Sequence, residues 1–223
     1  MMRLARAARG TGKWRVSLRL GNGAPLPAGA NFAFPTSQSG ILPSNPAGPG
    51  FVLLERIVGN PIALELHGSL QWKGRSGATH ELDVSMLPQS IAAPLRTSGG
   101  HPRGLPIAAY ECKDKTNSAT PDEMRQTVAR LFDLALVTRP YPAYDCRMFE
   151  AATHRRWGQR RTLYREFFAV GALGVVRAGT FGPGATDLGT HYHVGRHERI
   201  YAPGAMANVE ARFVQVLERV DSI

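Results

Sequence analysis

Cysteine is nearly absent from this 223-residue chain: Cys112 and Cys146 are the two present. A pair of cysteines cannot staple a chain of this size, so disulfide-scaffold classes are excluded, and both are expected as reduced core thiols. Lysine is almost as scarce, with Lys13, Lys73, Lys113 and Lys115 the four among 27 basic residues. Arginine therefore carries the general positive charge, and two of the four lysines fall within three residues of each other. An ammonium tunes its pKa and hydrogen-bonds water in ways that a guanidinium does not, so that exception suggests chemistry. Acidic residues are also few, 17 in all, leaving a net charge of +10 and an isoelectric point near 10.3. Such a surface attracts polyanions, nucleic acid above all. No run approaches the about 18 apolar residues of a membrane span, and residues 1–19 lack the apolar segment of a secretory signal. The expected partners exclude a membrane, and the expected compartment is the cytoplasm.

What is present is an ordinary globular balance, 43% hydrophobic and 20% charged, enough to bury one core. Residues 1–50 are expected as an irregular arm, because 20–50 are crowded with glycine, proline, serine and asparagine. Residues 51–223 are expected as a single domain, with its core at about 50–150 and a C-terminal extension at 151–223. Within the core, Phe51, Leu54 and Val58 fit a short helix. Three strands are expected at 62–72, 80–87 and 106–114, each bounded by glycine, proline or serine. The stretch 88–105 between the last two is expected as a long loop carrying Arg96, His101 and Arg103.

Thr120-Pro121-Asp122-Glu123 has the grammar of a helix start: a capping hydroxyl, proline at the first helical position, and acids in the first turn. Met124, Val128, Leu131, Phe132 and Ala135 then form an apolar stripe, which predicts a helix to about residue 137. A further strand is expected at 146–150 and an amphipathic helix at 205–220. Arg155, Arg156, Trp157, Arg160 and Arg161 form a basic run with one aromatic, suited to backbone phosphates and an unpaired base.

The chemistry concentrates in Tyr110-Glu111-Cys112-Lys113-Asp114-Lys115, preceded by His80-Glu81-Leu82-Asp83-Val84. Alternation along a strand puts Glu111 and Lys113 on one face and Tyr110 and Cys112 on the other; Glu81 and Asp83 likewise share a face. If those two strands pair, Asp83 and Glu111 bring hard oxygen donors together, suited to Mg²⁺ or Mn²⁺. The backbone carbonyl of Cys112 is a candidate third ligand. Lys113 would then lie beside a water, able to orient it or to offset developing negative charge.

With Asp83 and Glu111-Cys112-Lys113 in place, and helix, three strands, helix and strand following in order, the chain resembles the PD-(D/E)XK nuclease superfamily over residues 50–150. That resemblance implies an α/β (α+β) fold with a restriction-endonuclease-like core, a central mixed β-sheet flanked by helices. It implies a metal-dependent endonuclease acting on DNA, with Asp83, Glu111 and Lys113 as the catalytic set and Mg²⁺ or Mn²⁺ as cofactor. It suggests a role in defence against foreign DNA or in DNA processing. Glu55 and Gln126 match positions where related nucleases sometimes carry a further functional acid or glutamine. Arg96, Arg103 and Lys115 join the basic run as candidate nucleic-acid contacts. Cutting both strands of a duplex calls for two active sites, so a homodimer or a subunit of a larger complex is expected.

Two alternatives remain open in the sequence. One is a non-catalytic DNA-binding or assembly subunit on the same scaffold. The other is a cupin-like metal protein, since His191, His193 and Glu198 are similar to the first metal motif of that family, although the distance to Gly204 is a residue short.

Overall fold

The computed structural model describes residues 1–135, 168–169 and 171–220. The protein is α/β: one mixed sheet of seven strands, in the same order in space as in the chain, flanked by helices. The strands are β1 (Trp14–Arg19), β2 (Phe51–Arg56), β3 (Ala63–Lys73), β4 (Thr79–Pro88), β5 (Ala108–Lys113), β6 (Ala172–Arg177) and β7 (Gly195–His197). The helices are α1 (Met2–Gly10), α2 (Gln89–Ser98), α3 (Pro121–Ala135), α4 (Pro183–His191) and α5 (Ala207–Arg219). Among the described residues no helix is long and apolar enough to cross a membrane.

Strands β1 to β5 are antiparallel neighbours, whereas β6 and β7 run parallel to β5. β3 and β4 are joined by a short hairpin turn, which antiparallel neighbours allow, whereas the connection from β5 to β6 is long and includes α3, as parallel neighbours require. Helix α3 begins where the cap grammar places it. Glu123 N donates to Thr120 Oγ1 at 3.3 Å and Thr120 N donates to Glu123 Oε2 at 3.1 Å, a reciprocal capping box. Its stripe of Met124, Val128, Leu131 and Ala135 is buried.

Neighbouring residues of β5 separate the two helical layers. Tyr110 senses the charge of Arg212 on α5, while Glu111 is bonded by Arg130 of α3. Since successive side chains on a strand point to opposite faces, α5 and α3 cover opposite faces of the sheet.

Several expectations from sequence are corrected. The 51–58 segment is strand β2: Phe51, Val52, Leu53 and Leu54 are all buried, which suits a strand covered on both faces rather than a one-sided helix. The 88–105 segment contains α2, whose buried Ile91, Ala92 and Leu95 pack it on the sheet. The N-terminal arm is irregular only from about residue 20, because Leu4, Ala5, Ala8 and Trp14 enter the core through α1 and β1. The strand expected at 146–150 lies outside the described residues.

The β3–β4 hairpin is bent. Ser85 pairs with His67, five positions from Trp72, which along a flat strand would separate them by roughly 16 Å. Yet Trp72 Nε1 donates to Ser85 Oγ at 3.0 Å, closer than the two side chains reach along a flat ladder, so the hairpin curves between them. The ladder runs unbroken from Leu64 opposite Pro88 to Lys73 opposite Thr79, save for Ser69 opposite Asp83. Ser69 there adopts a left-handed backbone, φ 44°. The bend is thus located at the strand position of Asp83.

Candidate active site

Three elements converge at the bend. The β4–β5 ladder ends at Val84 opposite Tyr110, and Asp83 and Glu111 are the next residues of the two strands. Asp83 Oδ2 accepts the backbone N–H of Cys112 at 2.5 Å, which ties its carboxylate to β5. Glu111 is 6% exposed and its Oε1 accepts from two cations: Lys113 Nζ at 2.5 Å and Arg130 Nη1 at 3.0 Å. Glu81, two residues before Asp83, is hydrogen-bonded by Ser69 and feels the charges of Asp83, Glu111 and Arg130. The sequence-derived set of Asp83, Glu111 and Lys113 is therefore brought together, and Arg130 and Ser69 are added to it.

The electrostatics follow from three acids in a partly dry corner. Burial first, then the Glu111 charge, raise the Asp83 carboxyl above its usual range, against the pull of the Cys112 N–H. Glu81 is raised as well, by burial and then by Asp83. Cys112 is exposed rather than a core thiol. The protein nonetheless strips enough water from its sulfur to push the thiol up to about 11, with the Asp83 charge adding to the shift. A thiol at that value is no nucleophile near neutrality.

Helix α3 braces the folded hairpin. Asp133, one turn beyond Arg130, accepts Ser76 N at 2.9 Å, Ser76 Oγ at 2.7 Å and His80 Nε2 at 2.6 Å. A Cβ on Gly74 would run into Asp133 Oδ2, so the turn requires glycine where the helix approaches. One helix thus delivers Arg130 to Glu111 and Asp133 to the hairpin tip.

The remaining candidates are dispersed. Glu55 is on β2, not a helix; it pairs with Arg15 at 3.0 Å and its strand partner is Ala63. Ala63 lies six positions along β3 from Ser69, about 20 Å, so Glu55 is no part of the site. Gln126 is exposed on α3, one turn before Arg130 on the same side of the helix. Arg96 is 7% exposed and forks onto the fully buried Glu65 at 2.6 and 2.5 Å, with its guanidinium 4.6 Å from the Phe51 ring centre. It is a core ion pair and not a phosphate contact, a correction to its surface assignment. Arg103 is half-buried beside Lys73. Lys115 pairs with Glu123 at 2.9 Å; with the fully buried Arg177 it holds the Glu123 carboxyl down at about 2. Arg155, Arg156, Trp157, Arg160, Arg161 and Cys146 lie outside the described residues.

The strand expected to align His191 and His193 does not form. His191 ends α4, His193 has φ 57°, and Glu198 Oε1 accepts Phe181 N at 2.7 Å. Among the described residues no three His, Cys, Asp or Glu side chains are grouped to hold a metal ion, so the cupin-like ligand set is not assembled.

Arg130 and Ser69 were missed in the sequence for different reasons. Arg130 follows Gln126 by four on a helix, a spacing that marks one face, so the signal was present. Nothing in the sequence marks Ser69 as left-handed, because serine ordinarily avoids that conformation. Comparisons with protein-family models, curated proteins and solved structures found no match.

Proposed function

We propose that the protein is a Mg²⁺- or Mn²⁺-dependent DNA endonuclease, with Asp83, Glu111 and Lys113 as its catalytic residues and with β3, β4, β5, α3 and β6 as a restriction-endonuclease-like core. The observation that carries this reading is Glu111 Oε1, held by Lys113 Nζ at 2.5 Å where its charge is felt by Asp83, just past the end of the β4–β5 ladder. The donor set fits a hard divalent cation: two carboxylates, one raised by burial and by the charge of the other, with the Cys112 carbonyl as the candidate third ligand. Two carboxylate ligands also match the way Mg²⁺ is usually held, with water and substrate phosphate filling the remaining positions.

When bound, such a cation supplies Lewis acidity toward a phosphate oxygen and lowers the pKa of a coordinated water. The chain's own residues do the rest. Asp83 and Glu111, with the Cys112 carbonyl, would hold the cation beside the reacting phosphodiester. Lys113 holds its ammonium beside Glu111, where it orients the attacking water and offsets charge developing on phosphate. The net charge of +10 brings the polyanion to the surface. A homodimer would provide a second site for the opposite strand. Defence against foreign DNA or DNA processing is the setting that suits such an activity.

The test incubates purified protein with plasmid and linear DNA and Mg²⁺ or Mn²⁺, comparing the natural sequence with Lys113→Ala and Asp83→Ala. Cleavage that falls by at least about a hundredfold in both variants is expected, the usual cost of losing a charge-stabilising group. Equal cleavage by all three, or none with either metal, overturns the assignment. DNA affinity that persists in chelator without any cleavage points instead to the non-catalytic DNA-binding subunit.

A further inference from the structure

We propose that Arg130 is a substrate-contacting residue, using one guanidinium nitrogen to hold Glu111 and the others to grip a non-bridging oxygen of a nucleic-acid phosphate at the mouth of the site. This inference rests on the nuclease reading for its substrate class but on separate geometry for its residue. Lys113 Nζ at 2.5 Å and Arg130 Nη1 at 3.0 Å share the one oxygen of Glu111, so the Glu111 carboxylate occupies a single edge of the Arg130 fork. Arg130 spends one N–H on that contact, through Nη1, out of the five that a guanidinium presents. Glu111 is 7% exposed through its side chain while Arg130 is 37% exposed, so the guanidinium is anchored at its inner end and open at its outer end.

The surroundings select what that open end can take. Any anion there faces Glu81, Asp83 and Glu111, and a phosphodiester is the one that the nuclease reading brings beside them. The planar fork of arginine matches two phosphate oxygens, which an ammonium cannot do. The scaffold also supports a fixed position, because Asp133 on the next turn locks α3 to the β3–β4 tip through Ser76 and His80. Arg130 thus sits one turn from a fixed anchor on its own helix, and the phosphate is the partner that completes its fork.

The experiment measures binding of a fluorescent DNA duplex by anisotropy in chelator across a salt series, and cleavage in Mg²⁺, for the natural protein, Arg130→Ala, Arg130→Lys and Arg125→Ala. Arg125 is the control: it lies on the same helix, removes the same charge and is 65% exposed in an i,i+3 pair with Asp122. Arg130→Ala is expected to lower the slope of log affinity against log salt by about one, to slow cleavage by about a hundredfold, and to keep a normal thermal transition. Arg130→Lys is expected to restore the salt slope but not the rate, and Arg125→Ala to leave the rate unchanged. An Arg130→Ala slope equal to that of the natural protein overturns the proposal, as does absence of DNA binding by the natural protein. Should Arg130→Ala unfold, an Arg130→Lys rate matching the natural one overturns it equally. A slope change without any cleavage by the natural protein would remove the nuclease reading and leave the phosphate contact standing.

Discussion

Ser69 and Asp83 stand opposite each other in the β3–β4 hairpin and are the one pair that its ladder omits. The omission is where the hairpin bends, and at the same position the Asp83 side-chain carboxylate accepts the Cys112 N–H of β5. Irregular pairing of this kind re-aims a side chain, and backbone strain tends to collect where side chains are put to use.

Ser69 at φ 44° holds a conformation that costs a non-glycine residue about 1 kcal/mol or more. Ser69→Gly is expected to be at least as stable as the natural protein, since relief of strain offsets the lost hydrogen bond to Glu81. Ser69→Ala keeps the strain and loses the bond, and is expected to cost about 1 kcal/mol in urea denaturation. A more stable alanine than glycine variant would remove the strain from the account.

Asp83 and Glu81 bind protons more tightly folded than unfolded, with burial as the leading cause for each. Between the ordinary carboxylate range and their raised values the folded state therefore holds more protons than the unfolded one. Stability contributed by these groups is complete below that window, falls as pH rises through it, and stays lower above it. Asp83→Asn is expected to raise the melting temperature at neutral pH, with the gain disappearing at about pH 3, below ordinary carboxylate values. Melting curves across pH read this directly, and a variant less stable at neutral pH than at acid pH, relative to the natural protein, contradicts it.

Arg96 and Glu65 form a core pair in which the acid has no exposure at all. Arg96→Met leaves that carboxylate without its bidentate partner and is expected to cost about 3–5 kcal/mol; the double change with Glu65→Leu should recover most of it. The salt slope of DNA binding should be unaffected in the folded fraction. A reduced slope with unchanged stability would return Arg96 to the DNA interface.

Gly74→Ala places a methyl group against Asp133 Oδ2 and is expected to destabilise by about 1–3 kcal/mol. Truncating Asp133 to alanine removes the collision, so the two changes should couple by at least about 0.5 kcal/mol in a double-mutant cycle. Additive costs would show that the clash is relieved elsewhere.

The legible parts of this fold were those in which local and tertiary signals agreed. Strands β3, β4 and β5 announced themselves through flanking glycine and proline, and α3 through its capping box and stripe. Asp83, Glu111 and Lys113 were readable because strand alternation is rigid. Strand β6 was not anticipated, although Ala-Leu-Gly-Val-Val-Arg at 172–177 is the continuous apolar run of a strand covered on both faces. Phe51 to Leu54 misled for the same reason, since a run buried on both faces has no period that separates helix from strand. Arg96 looked like a surface cation because nothing local reveals Glu65, 31 residues earlier, as its buried partner.

The glycine- and proline-rich arm bears on how the sheet ends. Past β1 the chain turns back, Leu20 N donating to Ala24 O and Leu26 N to Leu18 O, with Arg19 bridged to Pro25. The last two residues of the outermost strand, Leu18 and Arg19, are thereby already paired, by a segment in which Pro25 and Pro27 have no N–H to offer an incoming strand. An open edge invites edge-to-edge aggregation between copies, and here the arm supplies its own chain terminator for the sheet.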